Sequence, residues 1–224
     1  MSKTVFMSSL IAIAAAGGMW WYAGQAAVDQ SPVSIAAEAQ EASTSSEASR
    51  VPDMILGQAD APLTVTEYAS FTCPHCANFH ATVWDQFKKN YIDTGKVKFV
   101  YREVYFDKFG LWGAMVARCG GPEKYFGIAD MLYDEQRDWL ASNDPAGIAD
   151  ALRKVGLKAG LTKEAVDACL ADQDMAKAMV AVYQTNATND KIEGTPSFIV
   201  DGELLSGEMS YEEFAKKIDA KLAK

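Results

Sequence analysis

The stretch Ala69-Ser-Phe-Thr-Cys73-Pro74-His75-Cys76-Ala-Asn-Phe79 constrains this chain more than any other. It reads as a β-strand running into a helix, with two cysteines held two residues apart at the junction. That spacing permits a disulfide across the first helical turn. It also puts Cys73 at the helix N-terminus, where unpaired backbone N–H groups and the helix dipole favour a thiolate over a thiol. Three chemistries fit the motif taken alone: a redox dithiol, half of a metal site and a structural disulfide. His80 could add a third ligand from the same helical face, but a fourth is missing, because the other histidine, His75, sits inside the motif.

The chain has 224 residues, 49% of them hydrophobic, enough for one well-buried domain with appendages. A net charge of -9 without any basic run argues against nucleic acid as a partner. Lys3 precedes an uncharged, mostly apolar stretch over residues 4–22, close to the length that spans a bilayer. Residues 1–24 are therefore expected to be a signal peptide or an N-terminal membrane anchor, with residues 4–22 as the tether in the second case. Gly24-Gln25-Ala26 is an imperfect cleavage site, and Trp20, Trp21 and Tyr22 stand where an interfacial aromatic belt would lie. Either reading exports the rest of the chain. Residues 25–51, rich in Ala, Ser and Glu, have little to bury and are expected to form a flexible linker before a folded unit over 52–224.

Within that unit, Leu63, Val65, Glu67, Ala69 and Phe71 fall on one face of a period-two strand. Glu67 thus shares a face with four apolar residues, six positions before Cys73. Buried there, it would have a raised pKa and could accept a proton beneath the dithiol; on an edge strand it would reach solvent. Cys76, Phe79, Val83 and Phe87 then recur at helical spacing until Gly95, and Val97, Phe99 and Tyr101 alternate as a second strand. A strand, helix, strand unit is an α/β arrangement.

From about 106 to 190 the chain shows helical patterns only, read as an inserted subdomain. Gly120-Gly121-Pro122 ends one helix, Asp144-Pro145 opens another that runs to Gly156, Thr162 caps a third and Asp174 begins a fourth. Strands resume at Ser197–Val200 and Glu203–Leu205, joined by Asp201-Gly202, a pair suited to a type I′ turn. Ser210 and Glu213 form a capping box for a last helix carrying Phe214, Ile218 and Leu222. The sequence leaves the isomer of the Thr195–Pro196 bond open. Cys119 and Cys169 both fall in the insertion. They are either two buried thiols or, as an even count in an exported chain favours, a structural disulfide stabilising the fold by about 4 kcal/mol through loop closure.

With these pieces in place, the chain resembles the DsbA-like thiol:disulfide oxidoreductases, a thioredoxin-like fold with an inserted helical subdomain. The likeness rests on Gly57 to Thr66, on Phe71-Thr-Cys-Pro-His-Cys76 and on Gly194-Thr-Pro-Ser-Phe-Ile-Val-Asp-Gly202, in order, and covers about residues 52 to 222. It implies that Cys73 is the exposed nucleophile and Cys76 its buried partner. Pro74 and His75 would tune the potential, a cationic His75 helping to hold the Cys73 thiolate. Glu67 matches the family's buried acid, Pro196 its cis-proline, and Thr195 would offer backbone hydrogen bonds to an extended substrate. Strongly oxidising members carry valine where this chain has Thr195.

The resemblance implies a periplasmic dithiol oxidase acting on reduced, unfolded exported proteins and reoxidised by a DsbB-like membrane oxidase, with no cofactor. A reductase or isomerase on the same fold is the alternative, although residues 25–50 are too short and polar for the dimerisation domain that isomerases of this group carry. A non-enzymatic metal-binding module using Cys73, Cys76 and His80 is a third reading.

Overall fold

The computed structural model describes residues 50–223. The expected signal or anchor, residues 1–24, and the linker up to residue 49 lie outside the described residues. Among those described, no helix is long and apolar enough to cross a membrane. Val51, the last residue of the expected linker, is already buried in the core.

Five strands form one sheet in the order β1-β3-β2-β4-β5. They are β1 (Met54–Leu56), β2 (Leu63–Ala69), β3 (Val97–Glu103), β4 (Ser197–Val200) and β5 (Glu203–Ser206). β2 and β3 are parallel, and every other pairing is antiparallel. Asp201 and Gly202 join β4 to β5 with φ of 49° and 76°, the two left-handed residues that a type I′ turn requires.

Between β2 and β3 runs α1, residues 74–92. It is α-helical over Pro74–Phe79 and Asp85–Phe87 and π-helical over His80–Trp84 and Lys88–Ile92. Its apolar stripe packs as the spacing predicts. The Phe79 ring lies 4.7 Å from Phe198 and 5.4 Å from Phe214, and Phe87 lies 5.1 Å from Phe214 and 5.9 Å from Phe99. Phe214 and Ile218 come from α8 (Tyr211–Leu222), which starts at a complete Ser210–Glu213 capping box.

The insertion between β3 and β4 holds α2 (Lys108–Cys119), α3 (Gly121–Asp134), α4 (Gln136–Trp139), α5 (Pro145–Lys158), α6 (Lys163–Ala171) and α7 (Gln173–Asn189). Two boundaries differ from the sequence reading. α7 is capped by Asp172, whose side chain accepts from Met175 N at 2.8 Å, rather than opened by Asp174. α5 does not stop at Gly156. It continues to Lys158, and Gly156 is buried where a Cβ would sit 2.6 Å from Val166 Cγ2, so its bare backbone is what lets α5 and α6 approach. Cys119, closing α2, is bonded to Cys169 of α6 with an S–S distance of 2.10 Å.

β2 is buried on both faces at its C-terminal half, more than one-sided alternation predicts. Tyr68, opposite in phase to Glu67, is covered by a polar cluster. Its hydroxyl donates to Asp190 Oδ2 at 2.5 Å, while Arg102 reaches Asp190 and Tyr68 through Nη1 and grips Asp53 with Nε and Nη2, both at 2.9 Å.

Candidate active site

The strand β2 ends at Ala69, and the chain turns through Ser70-Phe71-Thr72 into α1. Cys73 is the N-cap, with extended backbone (φ -80°, ψ 120°), and Pro74 occupies the first turn, where a missing N–H costs no helical hydrogen bond. The turn is tied at several points. Cys73 N donates to Ser70 O at 3.0 Å, and Thr72 Oγ1 donates to Asp107 Oδ2 at 2.8 Å. The other oxygen of Asp107 caps α2 by accepting from Phe109 N and Gly110 N, so one carboxylate fixes both the redox turn and the start of the insertion.

Cys73 and Cys76 are free thiols, the reduced form of the pair. The resemblance implied an exposed Cys73; it is instead mostly covered, with 8% of its surface accessible against 1% for Cys76. Its cover is the segment before β4. The Thr195–Pro196 bond is cis, and Cys73 Sγ lies 3.5 Å from Thr195 O. Of the two cysteines, Cys73 is the less covered and Cys76 is closed off.

The electrostatics separate the two sulfurs. The Cys73 thiol is lowered to about 5, first by the hydrogen bond from the Cys76 thiol, against the opposing effect of burial, and then by Thr195 and the backbone N–H groups of Cys76 and His75. Cys76 is pushed far up, above all by burial and by its hydrogen bond to Cys73. Thr195 Oγ1 is buried without a hydrogen-bond partner at normal geometry among the described residues. The expected cationic help from His75 takes a different form. Its ring is 71% exposed and turned to Glu208, with Nδ1 at 3.0 Å from Oε2, and it acts on Cys73 through its backbone N–H. Asn78 donates to the other oxygen of Glu208.

Glu67 is 4% exposed on the central strand β2, its register partners being Tyr101 on β3 and Phe198 on β4. Burial, with the Cys73 charge second, raises its carboxyl to about 8, so it carries a proton at neutral pH. Around it stand the buried Tyr101 and Tyr133, whose hydroxyls are 2.5 Å apart.

His80 does not turn toward the cysteines. Its Nε2 lies 2.9 Å from Asp130 Oδ1, and its ring stacks on Trp84 and tilts against Tyr133. Among the described residues no three His, Cys, Asp or Glu side chains converge to hold a metal, so the reading of Cys73, Cys76 and His80 as a metal module finds no support. The sequence reading missed Gln136, Asp107 and Glu208, which touch Cys73, Thr72 and His75 from 63, 35 and 133 positions away. These separations are too long for any spacing rule to link the partners.

A cleft of about 760 Å³ is lined by His75, Thr195, Gly207, Glu208 and Tyr211, and another of about 430 Å³ by Pro74, Asn78, Tyr133, Gln136 and Arg137.

The thioredoxin family model matches residues 49–220. A Rickettsia bellii protein named as a protein-disulfide oxidoreductase is 36% identical over 151 residues, covering 67% of this chain and 57% of its own, so the chain spans little more than half the length of that relative. A Bacillus cereus protein named as disulfide bond formation protein D is 30% identical, covering 75% of this chain and 78% of its own. The crystal structure of Wolbachia pipientis alpha-DsbA1 superposes with a TM-score of 0.70 at 26% identity, covering 77% of this chain and 92% of that one. A strand that delivers Cys73 to a helix N-terminus, a cis-proline facing it and these matches leave one conclusion: the chain belongs to the thioredoxin family and is similar to its DsbA-like members.

Proposed function

We propose that the chain is a dithiol oxidase that passes the Cys73–Cys76 disulfide to reduced proteins exported to the periplasm. A client thiolate attacks Cys73 Sγ and the S–S bond breaks. Cys76 leaves with the electron pair and takes the proton of Glu67, which is neutral at physiological pH. A second client thiolate then attacks the client sulfur of the mixed disulfide. Cys73 leaves as a thiolate, the client gains a disulfide, and the chain is left as the dithiol. A DsbB-like membrane oxidase would restore the disulfide. The cleft beside His75 and Thr195 offers room for the client segment that flanks the reacting cysteine.

The observation that carries the direction is the Cys73 sulfur at the helix N-terminus, lowered to about 5. A stable thiolate is a good leaving group and stabilises the reduced form, so electrons flow into the pair. Thr195, in the position where strongly oxidising members carry valine, favours the second reading, a reductase or isomerase. Equilibration with a glutathione redox buffer separates them. The oxidase is expected to stand as the dithiol in buffers that keep glutathione itself partly oxidised, with the Cys73 thiolate absorbance titrating near pH 5. A midpoint near 8.5, or a pair that stays disulfide-bonded in reducing glutathione while the protein reduces insulin, would sink the oxidase.

A further inference from the structure

The helical insertion reaches the redox turn through one side chain. Gln136, first residue of α4, is only 7% exposed, and its Nε2 donates to Phe71 O at 2.9 Å and to Cys73 O at 3.0 Å. Both N–H bonds of the amide are thereby used. The two carbonyls bracket Thr72. Phe71 lies past the end of β2, outside the sheet ladder, and Cys73 O also accepts the first helical bond of α1, from Ala77 N at 3.2 Å. A single amide from the insertion therefore grips the backbone on both sides of the residue that leads into the helix N-terminus.

We propose that Gln136 is a positioning residue for the thiol–disulfide exchange: by drawing the Phe71 and Cys73 carbonyls toward α4 it fixes the turn that presents the His75 and Cys76 N–H groups to Cys73 Sγ, so the insertion sets the redox equilibrium of the pair. The role rests on the thiol:disulfide activity proposed above. Peptide carbonyls and N–H groups are rigidly opposed, so a turn free to rotate its carbonyls toward the sulfur would replace donors with acceptors at the one atom that must hold negative charge. Cys73 O keeps its bond from Ala77 without Gln136, whereas Phe71 O loses a buried donor, and the turn is then free to reorient to regain one.

The test compares the full chain with Gln136→Met, which keeps the volume and removes both donors, and with Gln136→Glu, which keeps the shape but, protonated in this buried site, can donate to only one of the two carbonyls. Each is equilibrated with glutathione and titrated by thiolate absorbance. Both variants are expected to raise the Cys73 midpoint and to move the glutathione equilibrium toward the disulfide form, Gln136→Met, which keeps no donor, at least fivefold and the further of the two. The double variant Cys119→Ala/Cys169→Ala supplies a loss of insertion stability that touches neither carbonyl, and it is expected to leave both readouts where they are in the parent chain. A Gln136→Met or Gln136→Glu protein that melts earlier but keeps the parent's midpoint and equilibrium assigns Gln136 a purely structural role and overturns the proposal. A parent chain that fails to exchange with glutathione overturns the activity itself, a result visible before any variant is compared.

Discussion

Two residues of the site pull the folded state in opposite directions as pH changes. Cys73 in the dithiol form is lowered from an ordinary 9.0 to about 5, so its contribution to stability is complete above pH 9 and is lost as pH falls through about 5. Glu67 is raised from 4.5 to about 8, so its contribution is complete below pH 4.5 and is lost as pH rises through about 8. Between these limits the gain at one sulfur offsets the loss at one carboxyl. Replacing Glu67 by Gln removes the loss and unmasks the gain. The dithiol form of Glu67→Gln is expected to gain about 3–5 kcal/mol of unfolding free energy between about pH 5 and 8, while the parent stays nearly flat. In the disulfide form there is no thiolate, so the parent should lose stability over the same range and Glu67→Gln should stay flat. Urea unfolding of both redox forms at the two pH values measures this, and a flat dithiol Glu67→Gln would show that Cys73 is not held as a thiolate. The acid was legible because period-two spacing put it among Leu63, Val65 and Ala69. Gln136 was not, because nothing in the polar run Glu135-Gln136-Arg137 marks its middle residue as the one turned inward.

At the scale of elements, the sequence located strands and helices by their periodicity and caps, and it failed where tertiary packing overrides a local signal. Ser210, Thr162 and the Asp201-Gly202 turn act as their types suggest, because a cap or a left-handed turn is decided within four residues. The two π-helical stretches of α1 left no such mark. Gly156 is the instructive failure, since a glycine late in a helical pattern reads as a stop and here marks contact between helices. A helix interior gains about 1 kcal/mol on Gly→Ala, but at Gly156 the new methyl would press on the fully buried Val166 at 2.6 Å, and overpacking costs about 1–3 kcal/mol. Gly156→Ala is therefore expected to be neutral to destabilising by about 2 kcal/mol. Gly127, inside α3 with nothing within 4 Å of a Cβ, carries no such clash, and Gly127→Ala should stabilise by about 0.5–1 kcal/mol. Thermal or urea unfolding of the pair decides the matter, and equal stabilisation by both would mean that α5 and α6 are not in close contact.

Across the whole molecule, the insertion has to be held against the sheet if Asp107 and Gln136 are to reach the redox turn, and the strongest polar tie is buried. Arg118 of α2 donates to both oxygens of Glu103 at the end of β3, at 2.7 and 2.6 Å, and to Pro52 O at 3.0 Å, while Tyr125 of α3 donates to Glu103 Oε1 at 2.8 Å. The ion pair's side chains are 9% and 3% exposed. Burying such a pair yields little net stability, because desolvation consumes most of the attraction, but removing one partner strands the other charge in the interior. Glu103→Leu is thus expected to cost about 3–5 kcal/mol. Adding Arg118→Met removes the stranded charge and should recover most of that loss, short of the roughly 1–3 kcal/mol left by the unpartnered Tyr125 hydroxyl. A double-mutant cycle in urea reads the coupling directly. Additive losses from the two substitutions would mean that Arg118 reaches water when Glu103 is gone, and that the insertion is held to the sheet by its apolar contacts alone.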